Sequence, residues 1–91
     1  MFFLVQMEAV IPNDMDPTLR ADLGAREKAY AQQLQRDGKL RDLWRVVGQH
    51  SNCCIFEVDS SDELHQLLWG LPLFNYINIE VTALTTHGSK I

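Results

Sequence analysis

The chain has 91 residues, 46% of them hydrophobic and 22% charged. That balance specifies one folded domain over residues 1–91 with a modest core, and it argues against a disordered chain. The formal net charge is −4 and no basic cluster occurs, so nucleic acid is not an expected partner, since such a surface needs concentrated Lys and Arg to displace counterions.

Residues 2–10, FFLVQMEAV, alternate with Phe3, Val5, Met7 and Ala9 on one side and Leu4, Gln6 and Glu8 on the other, which predicts a strand. The apolar opening breaks at Gln6 and Glu8, too short for a membrane span and without the basic start or cleavage site of a signal peptide. The expectation is a cytoplasmic protein with no membrane partner. IPNDMDP follows as a loop, and Asp16 before Pro17 is a helix start, a capping carboxylate followed by a proline at the first helical position. Asp37-Gly38 is a helix stop, so a helix is expected over about 17–37.

LRDLWRVVG at 40–48 and CCIFEVD at 53–59 read as an antiparallel pair joined by a polar turn near 49–52. Ser60 or Ser61 can cap a second helix, DELHQLLWGL, whose Leu64, Leu67, Leu68 and Leu71 share one face before Pro72 ends it. YINIEVTAL at 76–84 alternates again and predicts a last strand. The order βαββαβ is the ferredoxin-like α+β arrangement, two helices on one face of a four-stranded antiparallel sheet. The other face, with Leu4, Glu8, Trp44 or Arg45, Tyr76 and Glu80, is too apolar to face water alone, so at least a homodimer is expected. Cys53 and Cys54 are adjacent and point to opposite faces of a strand, which predicts free thiols rather than a bridge.

Leu19, Leu23, Tyr30 and Leu34 form one helical stripe, and Glu27, four residues beyond Leu23, falls inside it. Two arrangements fit. The glutamate bends outward to pair with Arg26 or Lys28, or it lines a pocket where desolvation raises its pKa toward the range of a general base, with the Tyr30 hydroxyl beside it. Arg45 interrupts the apolar LWRVV run. Facing inward it needs an anionic ligand or a buried carboxylate; facing outward it can pair with Glu8 or Glu80. His50, His65 and His87 share no metal-ligand spacing and the cysteines form no CxxC, so no metal is expected. No phosphate loop, dinucleotide fingerprint or nucleophile elbow occurs, and any chemistry must come from side chains without a cofactor.

NDMDP at 13–17, AREKAYAQQLQRDGK at 25–39, LWRVVG at 43–48, DELH at 62–65, and LPLF with YINIEV across 71–81 together resemble the muconolactone delta-isomerase family over nearly the whole chain. The resemblance implies a ferredoxin-like chain of the dimeric α+β barrel type, in dimers that assemble into decamers. It implies an enzyme of aromatic (catechol) degradation that moves a double bond in a small anionic lactone by proton transfer. Glu27 is then the catalytic base, and Arg45, Tyr30 and Lys28 the substrate-binding neighbours. The hairpin departs from the family pattern: His50-Ser51-Asn52-Cys53-Cys54 stands where members commonly read Tyr-Ala-Asn-Tyr-Ser. Asn52 matches, and His50 joins it as a candidate substrate contact. The related chloromuconolactone dehalogenase, which would expel chloride after the same proton abstraction, is the alternative reading. A non-catalytic ligand-binding module of similar fold is a third.

Overall fold

The computed structural model describes residues 1–91. Strand β1 (Phe2–Ala9) buries Phe3, Val5 and Met7 on one side, as the alternation predicts. Helix α1 (Pro17–Arg36) starts where Asp16 Oδ2 accepts the Leu19 N–H at 3.0 Å, and it stops before Gly38, whose φ of 76° lets the chain turn back. The other strands are β2 (Leu40–Arg45), β3 (Ser51–Glu57) and β4 (Ile77–Leu84), with α2 (Ser61–Trp69) between β3 and β4.

β1 lies between β3 and β4, and β2 pairs with β3, all antiparallel, giving the order β2-β3-β1-β4. Val5 stands opposite Cys54 and Met7 opposite Asn52, so these four residues share a face. Leu34 from α1, Leu64 and Leu68 from α2, and Leu71 pack on that face against Phe3, Val5, Met7, Cys54 and Phe56. Full burial of each large apolar side chain stabilises the fold by roughly 1.5–3 kcal/mol. Both helices thus cover one side of the sheet, as the ferredoxin-like order requires.

The expected barrel type is corrected by the topology. The sheet is open, with β2 and β4 as its two edges and no pairing between them. Four strands are too few to wrap around an interior of side chains, and the core forms instead by laying the helices on one face.

Element ends also shift. β2 ends at Arg45 rather than Gly48 because a tight turn begins there: the Gln49 N–H reaches Val46 O at 3.1 Å, and Gly48 takes a φ of 78°. β3 accordingly begins at Ser51, earlier than Cys53. Tyr76 belongs to a 3-10 turn over Phe74–Tyr76 and not to the last strand. Trp44, opposite Cys53 and level with Gln6, lies on the uncovered face and is 53% exposed. Cys53 and Cys54 are both free, with Cys54 buried.

Candidate active site

Register decides which way the polar residues of the hairpin point. β2 carries an irregularity between Leu40 and Asp42, after which Leu43 stands opposite Cys54 and Arg45 opposite Asn52. Leu40, Leu43 and Arg45 therefore share the helix-side face, with Arg45 exposed at the end of its strand. Asn52 and Cys54 lie beside it on β3.

Between this face and α1 is a cleft of about 370 Å³, walled largely by apolar residues including Met7, Leu43, Phe56, Leu71 and Leu73. Its polar lining is Glu27 and Lys28 from α1 with Arg45 and Asn52 from the hairpin. Gly24, one turn before Glu27 and Lys28, lines it too, and no atom lies within 4 Å of where its Cβ would stand. The helical stripe therefore opens onto a void at Glu27 instead of closing on the sheet. Leu23 and Leu34 are buried, while Leu19 is 43% exposed because the stripe has run past its covering.

Glu27 is half-buried and takes one hydrogen bond, with Oε2 accepting the Leu73 N–H at 2.8 Å. Burial pushes its carboxyl above the ordinary value, and the Leu73 N–H pulls the other way with the smaller effect. It makes no ion pair with Arg26, which instead bonds Asp22 at 3.0 Å. Lys28 and Arg45 are exposed and form no salt bridge with any carboxylate. Asn52 Oδ1 is buried without a hydrogen-bond partner in the protein. The cleft thus combines a desolvated carboxylate, two unpaired cations and one unsatisfied amide within apolar walls, an arrangement suited to a small anion and to proton transfer.

Four of the sequence-stated residues, Glu27, Lys28, Arg45 and Asn52, meet in this cleft. Two do not. Tyr30 shares the helix face of Glu27, but its long ring reaches past the cleft to α2, where its hydroxyl donates to Leu67 O at 2.6 Å. His50 is exposed in the β2–β3 turn. Cys53, further along on β3, faces the opposite side of the sheet. Sequence reasoning missed two contributors. One is the Leu73 N–H, which follows Pro72 at a sequence distance of 46 residues from Glu27. The other is Cys54, whose thiol donates to Val5 O at 3.3 Å and is pushed up to about 12 by burial, with Cys53 adding to the shift. It stays protonated and serves as wall. No three His, Cys, Asp or Glu side chains converge as a metal site, and no helix is long and apolar enough to cross a membrane.

Comparison with known proteins identifies the family. The family model described as muconolactone delta-isomerase matches residues 1–90. A muconolactone delta-isomerase of Rhodococcus opacus is 56% identical over 89 residues, covering 98% of this chain and 96% of that protein. One from Cupriavidus pinatubonensis is 55% identical over 91 residues, covering 100% and 99%. A muconolactone isomerase crystal structure superposes with a TM-score of 0.96 at 47% identity, covering 100% of this chain and 95% of that one. A 5-chloro-2-hydroxyhydroquinone dehydrochlorinase from Burkholderia phenoliruptrix AC1100 shares the fold at a TM-score of 0.70 and 20% identity, covering 96% of each chain. With the match running almost end to end and at more than half identity, the chain belongs to the muconolactone delta-isomerase family and is an enzyme of that isomerase type.

Proposed function

We propose that this enzyme isomerises muconolactone in aromatic (catechol) degradation, with Glu27 as the base that carries the proton. The observation that carries the reading is a desolvated glutamate lining an apolar cleft beside two cations that have no carboxylate partner of their own. A proton on the ring carbon conjugated through the double bond to the lactone carbonyl is acidic, because its removal leaves a dienolate with charge on the carbonyl oxygen. Ionised Glu27 takes that proton, the electron pair moves through the ring, and return of the proton to the carbon beside the carbonyl leaves the double bond shifted. A raised carboxyl pKa narrows the gap to the carbon acid and favours both directions of the transfer.

Arg45 and Lys28 divide two anionic tasks, holding the carboxymethyl group and stabilising the dienolate oxygen. Asn52 adds an amide, and the unsatisfied Oδ1 is consistent with a group that finds its partner in a ligand. The apolar walls lower the local dielectric beside Glu27 and so strengthen these interactions.

The uncovered sheet face supports self-association. Phe2 and Trp44 are 43% and 53% exposed there, with Leu4 and Ile55 between them in the register, and a second copy is the simplest cover for such a surface. Light scattering at micromolar concentration should give a mass above the 10.4 kDa of one chain; a monomer would refute the association.

The deciding experiment is incubation with muconolactone and with its 5-chloro analogue, following product spectra and chloride release. Isomerised product from muconolactone supports the proposal. Turnover of the chloro compound alone, with chloride released, would reassign the enzyme as a dehalogenase, since the same abstraction then ends in elimination. Binding without turnover of either would leave a ligand-binding module.

A further inference from the structure

Tyr30 is out of the cleft, yet its hydroxyl ties the two helices together by a short hydrogen bond, 2.6 Å to Leu67 O near the end of α2. The fit around it is close. A Cβ on Gly70 would lie 2.7 Å from the Tyr30 hydroxyl oxygen and 3.3 Å from its ring Cζ, so only glycine at the α2 cap leaves the hydroxyl room to reach Leu67. From this joint the chain needs only Leu71, buried in the core, and Pro72, with its ring-fixed φ, to reach Leu73. The Leu73 N–H then returns to α1 and meets Glu27 Oε2 at 2.8 Å. Tyr30 and Glu27 lie three residues apart on α1, and each is tied to the same segment: one to Leu67, the other to Leu73.

We propose that Tyr30 is a positioning residue for catalysis: its bond to Leu67, made possible by Gly70, sets the 71–73 segment against α1 so that the Leu73 N–H occupies Glu27 Oε2 and leaves Oε1 free for the substrate proton. Oε1 has no hydrogen-bond partner in the protein. Holding one carboxylate oxygen stops the side chain from rotating and fixes the direction from which the other approaches the ring. The proposal rests on Glu27 being the base.

The same geometry has a titration signature. The Leu73 N–H stabilises the ionised carboxylate and opposes the effect of burial, so releasing it moves the Glu27 carboxyl further upward. The other charged or titratable groups around the cleft are Lys28 on α1, Arg45 on β2 and Cys54 on β3, with no such side chain from the 71–73 segment. Tyr30 has its own pKa raised by burial and by Glu27, so it is neutral in the acid range and its removal takes no charge away.

The test is Tyr30→Phe in the intact enzyme, with two readouts: the pH profile of kcat/KM on muconolactone, and direct titration of the Glu27 carboxyl by carbon NMR, assigned with Glu27→Gln. We expect the carboxyl titration and the acid limb of the profile to move to higher pH together, and kcat to fall by about 10- to 100-fold with KM changed less, as for a misplaced reacting group. A second variant avoids the helix joint. Replacing the Leu73 amide by an ester in a synthetic chain removes the N–H alone, and should raise the Glu27 titration in the same direction. An unchanged carboxyl titration in a folded Tyr30→Phe protein overturns the proposal; if that variant does not fold, an unchanged titration in the ester variant overturns it. A shifted carboxyl with an unmoved acid limb supports the clamp and instead refutes Glu27 as base.

Discussion

Glu27 and Glu63 each accept one backbone N–H and each sit near a lysine, yet their carboxyls are driven in opposite directions. Glu63 stands at the start of α2, where Oε1 accepts the Asp59 N–H at 2.9 Å and Lys39 Nζ approaches to 3.1 Å. These contacts, the backbone bond first and Lys39 second, hold its carboxyl below the ordinary value. Glu27 has the Leu73 N–H but no cation bonded to it, and burial wins. The difference lies in what surrounds the second oxygen: the Lys39 ammonium at Glu63, a largely apolar cleft wall at Glu27. A carboxylate that is fully satisfied caps a helix; one left half satisfied in a largely apolar cleft is available for chemistry.

The hardest blow to that contrast is Glu27→Gln. The amide keeps the shape and can still accept from Leu73, but it cannot take a proton, so turnover should fall by about 10²-fold or more with the fold intact. Activity within a few-fold of wild type would remove Glu27 from the mechanism and with it the meaning of the comparison. In the wild-type enzyme the base must be ionised. Its carboxyl lies above 4.5, so kcat/KM should rise with pH along a limb placed higher than an ordinary glutamate gives, and decline as pH falls through it.

Arg45→Met and Lys28→Met sharpen the division of labour across the cleft. Loss of a charge-assisted hydrogen bond worth about 1.5–3 kcal/mol corresponds to roughly 10- to 100-fold in kcat/KM. The cation that holds the carboxymethyl group should show the loss in KM, and the one facing the dienolate oxygen should show it in kcat. Steady-state kinetics of both variants assigns the two roles; identical splits in KM and kcat for the pair would refute a division. Both variants should also weaken the salt dependence of KM, because the cleft loses part of its pull on an anion.

Much of this arrangement is readable in the chain, and the unreadable parts have definite causes. Glu27 stands out because a 3.6-residue period makes one wrong residue in a stripe visible, and Asp16-Pro17 marks its helix because capping is a local matter. Arg45 and Trp44 could not be assigned to faces from alternation, because the irregularity between Leu40 and Asp42 changes the phase of β2 midway. Tyr30 lies on the same stripe in projection, but its long ring reaches α2, and a helical wheel carries no information about what packs beyond the side chain's end. The Leu73 N–H was invisible for another reason. A backbone donor belongs to every residue, and only the tertiary return of the chain selects this one. The barrel expectation failed because a family's assembly does not follow from the strands of one chain, which here end at two open edges.

The smallest expected effect is the most direct test of the opposite shifts, because it reads the sign of each in stability. For Glu63 the folded-state pKa lies below the ordinary 4.5. Its contribution is therefore fully present above about 4.5 and is lost as pH falls through the lower, folded value. Glu63→Gln should lower the melting temperature slightly at pH 7, since the amide still accepts from Asp59 but no longer attracts Lys39, and the deficit should vanish once the wild-type carboxyl is protonated. For Glu27 the folded value is raised. Its charged form costs stability at neutral pH, the cost is relieved as pH falls through the folded value, and nothing remains of it below the unfolded one. Glu27→Gln should then melt at or above wild type at pH 7, with the advantage shrinking on acidification. Melts of the two variants and wild type at pH 7 and near pH 3 check both signs at once. A Glu63→Gln deficit that persists in acid would mean that shape rather than charge holds the α2 cap, and a Glu27→Gln protein less stable than wild type at pH 7 would mean that the cleft carboxylate is better satisfied than its surroundings indicate.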